Sequence, residues 1–370
     1  MEEKKHIHYF DYLRVFAMFG VIYMHAASSL LRGEINAGWH ITNTITSLMF
    51  TAVPFFFMMS GYLLLSSDKT LDISVLIKKR LPRLAVPLVG WTLVAVIWQI
   101  LVGFDIKLFA QKLVSSLNSP AAVHFWYMYT LIALYMISPF LRGAIKSLDR
   151  KGHIYLFTLA SVISLHAMIT AVLPDSIDKY MQIDIINKLT VFSGHLSTFI
   201  LGYYLGSLKK KIPNLLLFGV ALITWGIITA GTYFITLDKG VYTQTFQTQS
   251  KGFEILLAAA IFLIFKQCLN KESKLLKVVP IVPLSLSVYF MHNILLSMMY
   301  TAGISVNSFI DPIWITAANF VICFIVLKTV ATVKPLCFIA TGIPYKSACN
   351  SCNWVYTYRW IKAKLSKKNS

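Results

Sequence analysis

The chain has 370 residues, of which 57% are hydrophobic and only 13% are charged. Soluble domains carry about 25% charged residues. With a mean hydropathy of +0.66, this composition excludes an ordinary soluble protein and indicates an integral membrane protein. The formal net charge of +19 is large enough for a nucleic-acid-binding protein. However, most Lys and Arg residues lie in short connections on one side, as membrane topology requires, so we expect no nucleic-acid partner.

Ten apolar stretches are long enough to cross a bilayer, which takes about 20 residues each. Their approximate ranges are 8–31, 42–65, 84–103, 122–141, 153–173, 188–207, 213–236, 252–269, 280–302 and 312–335. We predict an all-α integral membrane bundle of about ten transmembrane helices in residues 1–335. A short basic cytoplasmic tail, residues 336–370, follows.

The distribution of Lys and Arg predicts the orientation of the bundle. If Lys4 and Lys5 are cytoplasmic, every second connection carries several basic residues and falls on the same side. The positive-inside rule then places both termini in the cytoplasm. In the tail, Trp354 and Trp360 lie among Lys and Arg residues. This pattern favours contact with the anionic inner leaflet, so membrane lipids are an expected partner.

Arg14 and His25 lie inside the first apolar stretch. Charge within a membrane helix is costly unless it is paired or faces a polar cavity, so a functional site is the default interpretation. Eleven residues at about 100° each bring both side chains to one face, about 16 Å apart along the helix axis. His25 has the chemistry of a general base. Two other interpretations are that Arg14, beside Asp11, anchors the helix at the inner interface, and that His25 makes a hydrogen bond between helices.

Arg80 and Arg83 lie in a basic run, Lys78-Lys79-Arg80-Leu81-Pro82-Arg83, ahead of the third stretch. A run like this usually reflects topology or lipid headgroups. Two guanidinium groups at a helix N-terminus next to a proline also make a good phosphate site, because planar bidentate donors act together with the helix dipole. A nucleotide or coenzyme A at the inner face fits this chemistry.

Three further groups are candidate substrate-binding residues. Ser60 and Tyr62 flank Gly61 in an aromatic run, where close helix packing is the simpler explanation. The segment that opens the fourth stretch has residues typical of the membrane-interface aromatic belt, although aromatic rings also bind sugars. His292 lies mid-helix, at a depth resembling that of His25. The candidates here are Ser60, Tyr62, His124, Trp126, Tyr127 and His292.

Five cysteines are too few for a disulfide framework. Cys349 and Cys352 form a CxxC pair, but a structural zinc site needs four ligands and no second pair accompanies them. We therefore expect reduced thiols and no metal.

Taken together, these motifs resemble the acyltransferase-3 family of bacterial membrane acyltransferases. The resemblance covers about residues 8–335. It rests on Asp11, Leu13, Arg14 and His25; Pro54, Phe55, Phe56, Ser60, Gly61 and Tyr62; Arg80, Leu81, Pro82 and Arg83; His124, Phe125, Trp126 and Leu131; and Tyr289 to His292.

The resemblance implies transfer of an acyl group, usually acetyl from cytoplasmic acetyl-CoA, to a hydroxyl of a cell-surface or lipid-linked glycan. It implies a multi-pass protein of the bacterial plasma membrane. Arg80 and Arg83 would hold the coenzyme A phosphates, and Arg14 the thioester end of the donor. His25 would activate the acceptor or relay the acyl group. Either this chain completes the transfer itself or it relies on a partner transferase. The chain would also be able to form a homo-oligomer.

The main alternative is a transporter or flippase of a lipid-linked glycan or another amphiphile. Many helices with intramembrane charge suit such a protein. However, the chain has neither an evident inverted repeat nor a pair of broken helices, which makes this alternative weaker.

Overall fold

The computed structural model describes residues 6–170, 173, 194–249, 252–273, 275–276 and 280–366. Helix is the only regular secondary structure in these residues, which confirms the predicted all-α class. The main helices are α1 His8–Leu31, α2 Ala37–Met49, α3 Ala52–Leu65, α4 Pro82–Leu101, α5 Phe109–Ser115, α6 Trp126–Ser147, α7 Arg150–Thr170, α8 His195–Ser207, α9 Asn214–Lys239, α10 Gly252–Cys268, α11 Ser285–Thr301, α12 Asp311–Val330, α13 Lys334–Thr341 and α14 Trp354–Ser366.

Within the described residues, 7 helical segments are long and apolar enough to cross a membrane: His8–Leu31, Ala37–Leu65, Ile73–Leu101, Val123–Ser147, Asn214–Lys239, Val282–Thr301 and Asp311–Val330. Each coincides with one of the ten predicted stretches. The other three stretches fall at α7, α8 and α10, which are shorter or less apolar. Part of the sixth, residues 188–193, lies outside the described residues. The protein is thus a multi-pass membrane protein, while the count of ten and the side of the termini stay predictions.

The chain divides into two compact units. Unit 1 comprises Met1–Asp72, Ile137–Glu272 and Val306–Ile313. Unit 2 comprises Ile73–Met136, Ser273–Ser305 and Trp314–Ser370. Each unit is therefore assembled from segments that are distant in the sequence.

The centre of unit 1 is a very close contact between α3 and α8. A Cβ atom on Gly61 would lie 1.8 Å from the carbonyl oxygen of Phe199, and one on Gly202 would lie 2.1 Å from that of Met58. Two helix backbones approach this closely only where both lack a side chain, the usual role of small residues in membrane helices. Close packing therefore accounts for Gly61 in the aromatic run, as the simpler interpretation of this segment predicts.

In unit 2, α4 packs against the short helix α13. The indole Nε1 of Trp91 donates a hydrogen bond to the carbonyl oxygen of Ala340 at 3.0 Å. Gly90 faces Ile339, whose Cγ2 would lie 2.7 Å from an added Cβ. The first helix of the predicted tail is therefore in direct contact with a membrane-spanning helix.

Candidate active site

α1 holds Arg14 and His25 on a single unbroken helix of 24 residues, so the helical spacing deduced from the sequence applies. Arg14 Nη1 lies 3.6 Å from Asp11 Oδ1, which confirms the ion pair within the helix. The Arg14 side chain is 26% exposed, and His25 is half-buried. One face of unit 1 therefore carries a guanidinium and, about 16 Å further along the axis, an imidazole.

Arg80 and Arg83 flank a turn of unusual geometry. Residues Leu76–Arg80 form a π-helical turn, in which Leu81 N–H donates to the carbonyl oxygen of Leu76 at 2.9 Å. Pro82 explains the turn, because its ring has no N–H group and collides with the carbonyl four residues earlier. Turns of this kind occur often at functional sites.

This geometry changes one expectation about the arginine pair. Helical backbone precedes Pro82, and the segment Ile73–Leu101 continues through it. The free N–H groups of a helix N-terminus therefore lie near Ile73 rather than beside Pro82, so the helix dipole contributes less than expected from the sequence. Arg80 is half-buried and Arg83 is exposed, so the guanidinium groups, more than backbone N–H groups, are the candidate contacts for an anion here.

His124 and His292 form a buried pair within unit 2. Their ring centroids are 4.7 Å apart, and the side chains are 3% and 0% exposed. The hydroxyl of Tyr289 donates a hydrogen bond to the carbonyl oxygen of His124, and the Tyr127 ring lies 5.2 Å from that of Tyr289. The structure thus brings His292 together with His124 and Tyr127, which the sequence suggested as part of a different group.

The hydrogen bonds define the tautomers of this pair. His124 Nε2 lies 3.1 Å from the carbonyl oxygen of Phe290, and its Nδ1 lies 3.3 Å from the amide nitrogen of Asn293. Because the carbonyl only accepts and the amide nitrogen only donates, His124 carries its proton on Nε2. His292 Nδ1 lies 2.6 Å from the carbonyl oxygen of Tyr289, so it is the donor there. Nε2 of a neutral His292 is then a proton acceptor, the atom that general-base chemistry requires.

Sequence reasoning missed the polar side chains that support this pair. Asn319, fully buried on α12, donates to the carbonyl oxygen of His292 at 2.9 Å. Asn293, the residue after His292, is a second such side chain, since its amide nitrogen lies 3.3 Å from His124 Nδ1. The signal for Asn319 was available, since a carboxamide in the middle of an apolar spanning segment is costly without a partner.

The remaining predicted residues occupy ordinary packing positions. Tyr62 lies against Gly206 and makes an edge contact with Phe10, with ring centroids 5.7 Å apart. Ser60 and Trp126 are half-buried. The structure therefore places Arg14, His25, Ser60 and Tyr62 in unit 1, whereas Arg80, Arg83, His124, Trp126, Tyr127 and His292 belong to unit 2.

Among the described residues, one group has metal-ligand geometry. The ligand atoms of His6, His8 and Asp11 lie within 4.8 Å of one another. Asp11 also pairs with the cation Arg14, which opposes a bound metal ion. Cys349 and Cys352 are free thiols. We therefore assign no metal ion or other cofactor to either group.

The family comparison is consistent with these observations. The model of the acyltransferase-3 family, described as an acyltransferase domain, matches residues 7–330. No curated protein and no solved structure matches the chain. The matched region contains α1 with Arg14 and His25, the arginine pair and the histidine pair, and it covers most of the 370 residues. The chain therefore belongs to the acyltransferase-3 family and is a membrane acyltransferase.

Proposed function

We propose that the protein transfers an acetyl group from cytoplasmic acetyl-CoA to a hydroxyl of a cell-surface or lipid-linked glycan in the bacterial plasma membrane. The observation that carries this proposal is the shared face of α1, where Arg14 and His25 lie within the acyltransferase domain. A guanidinium suits an anionic or polarised donor, and an imidazole suits a hydroxyl acceptor.

In the proposed reaction, the donor, the acceptor and His25 together account for every bond and every proton that changes. His25 accepts the proton of the acceptor hydroxyl as its oxygen attacks the thioester carbonyl. The new carbon–oxygen bond forms and the carbon–sulfur bond breaks. Coenzyme A leaves as a thiolate, which takes up a proton. If His25 carries the acyl group in a relay instead, its ring nitrogen first displaces the coenzyme A thiolate and forms a nitrogen–carbon bond to the acyl group. The acceptor hydroxyl then attacks the acyl carbon, breaks that bond and frees the histidine.

The donor site is proposed at the arginine pair. Arg80 and Arg83 would bind the coenzyme A phosphates through charge-assisted hydrogen bonds. Arg14 would hold the thioester end or the pantetheine arm. For the acceptor, Ser60, Tyr62, His124, Trp126, Tyr127 and His292 are the proposed contacts. The chain would transfer the group alone, as a homo-oligomer, or with a partner transferase.

Radiolabelled acetyl-CoA and protein purified into liposomes test the proposal. The wild-type protein should transfer label to added glycan acceptor or hydrolyse the thioester slowly. His25→Ala should abolish both reactions while acetyl-CoA still binds. His40→Ala, a substitution of an exposed histidine on α2, is the matched control and should retain activity. Normal turnover by His25→Ala would overturn the assignment, and movement of glycan across the bilayer without acylation would indicate a flippase.

A further inference from the structure

The residues that follow the acyltransferase domain form an ordered C-terminal segment, residues 331–366, on unit 2. Its helix α13 packs against α4, which carries Arg83. Gly342 ends α13 in the left-handed conformation, with φ of 66° and its N–H donating to the carbonyl oxygen of Phe338 at 2.9 Å. This end of α13 lies against Arg83, one residue of the arginine pair.

Gly342 touches the backbone of Arg83 directly. A Cβ atom added at Gly342 would lie 2.2 Å from the carbonyl oxygen of Arg83 and 3.3 Å from its Cα. The hydrogen bond between Trp91 and Ala340 holds the same two helices together about two turns further along α4. The C-terminal segment therefore supports the backbone of one of the two proposed phosphate-binding arginines.

The last helix, α14, is attached where α12 ends. The fully buried Asn353 donates to the carbonyl oxygen of Ala331 at 3.1 Å, and Trp354 Nε1 donates to Thr329 Oγ1 at 3.0 Å. The Lys328 ammonium lies 4.1 Å from the centre of the Trp354 ring. Because α12 is a membrane-spanning segment, α14 begins at the edge of the bilayer.

α14 exposes an apolar stripe. Trp354, Tyr358, Ile361 and Leu365 are 42%, 66%, 46% and 60% exposed. Their spacing of four, three and four residues places them on one face, within about 60° around the helix axis. Positions 362 and 364 are both lysines. Measured around the helix axis from the centre of the stripe, they lie about 70° to one side and about 90° to the other.

We infer that α14 lies in the plane of the membrane on an anionic phospholipid surface and thereby holds α13 against Arg83. An exposed aromatic and aliphatic stripe with lysine positions on both sides has the chemistry of an interfacial helix. The stripe enters the acyl-chain boundary, and lysine is the residue type that reaches lipid phosphates from the two sides of such a stripe. The basic residues select anionic over neutral lipid, and the attachment beside Thr329 places the helix at the correct depth.

Hydrogen–deuterium exchange of residues 354–366 in the full-length protein tests the lipid contact. Nanodiscs of phosphatidylcholine are compared with nanodiscs that also contain phosphatidylglycerol. We expect exchange to be several-fold slower in the anionic nanodiscs. Ile361→Glu should abolish the difference, whereas Ala363→Glu, which adds the same charge on the opposite exposed face, should preserve it.

Two results would overturn the lipid assignment. One is equal exchange in both lipid compositions, because it would show that phospholipid charge plays no part. The other is an identical response of the two glutamate variants, because it would show that the apolar stripe is not the docking face.

The link to Arg83 rests on the proposed donor site and has a separate test. Gly342→Ala should weaken acetyl-CoA binding by about fivefold or more, within the usual range of coupling through packed contacts. Gly240→Ala is the matched control, since Gly240 has φ of 65° and an added Cβ would meet nothing within 4 Å. Equal affinity in the two variants would overturn the link. If the wild-type protein binds no acetyl-CoA, the donor assignment fails, and the exchange result still decides the lipid contact.

Discussion

The imidazole rings of His124 and His292 lie 4.7 Å apart in unit 2, although 167 positions separate them in the sequence. The two rings have different surroundings. Both ring nitrogens of His124 make hydrogen bonds to neighbouring residues, whereas the Nδ1–H of His292 is used by its own helix. His124 is therefore held by its neighbours through both ring nitrogens, whereas His292 is held by its own helix through Nδ1.

His124→Ala should destabilise the protein. The substitution leaves the buried Phe290 carbonyl and the Asn293 amide without this partner, which usually costs about 1–3 kcal/mol. A lower Tm of the detergent-solubilised protein would show the effect. His40→Ala, at an exposed position, should leave the Tm unchanged. Equal Tm values for the two variants would contradict a supporting role for His124.

His292→Ala should raise the KM for the glycan acceptor while leaving the affinity for acetyl-CoA unchanged. The expected cause is loss of a polar contact to the acceptor, and such a contact is usually worth about 0.5–1.5 kcal/mol, or up to about tenfold. Initial rates at varied acceptor concentration measure this effect, and a separate titration with acetyl-CoA measures donor binding. A weaker donor affinity would place His292 in a different role.

The double variant Arg80→Ala and Arg83→Ala should weaken acetyl-CoA binding by about 100-fold, because each charge-assisted hydrogen bond is worth about 1.5–3 kcal/mol. Isothermal titration in detergent measures the affinity. The matched control is Lys78→Ala with Lys79→Ala, which removes the same charge from exposed positions of the same helical segment. If both double variants lose the same affinity, general electrostatic attraction is sufficient and the phosphate-binding role fails.

Gly61→Ala should lower the stability of unit 1. The new methyl group would overlap the carbonyl oxygen of Phe199, so α3 and α8 must separate, at an expected cost of about 1–3 kcal/mol. Thermal unfolding followed by circular dichroism measures the loss. Gly219→Ala on α9 is the control, since an added Cβ there meets nothing within 4 Å, and alanine favours a helix. An unchanged Tm for Gly61→Ala would contradict the close contact.

Cys352 should react with maleimide much more slowly than Cys268. Burial raises the pKa of the Cys352 thiol to about 11, so near neutral pH it has even less of the reactive thiolate than an ordinary cysteine. Cys268 is exposed and serves as the internal control. Peptide mass spectrometry over a labelling time course gives both rates. Comparable rates at pH 7.5 would show that the C-terminal segment does not shield Cys352.

The sequence by itself determined the class of protein, the positions of the seven segments that are long and apolar enough to span a membrane, out of ten predicted, and the shared face of Arg14 and His25. These properties depend on local composition and on helical periodicity, which a single segment contains. The ion pair between Asp11 and Arg14 was predictable for the same reason, since its partners are three positions apart on one helix.

Only the tertiary structure decided the contacts between distant segments. The pairing of His124 with His292, the support from Asn319 and the contact of Gly342 with Arg83 all depend on which helices pack together. The spacing of residues along one helix does not show which other helix packs against it. The π-helical turn before Pro82 is an intermediate case: proline signals a break in the hydrogen-bond ladder, but the surrounding helix decides that the chain continues through it.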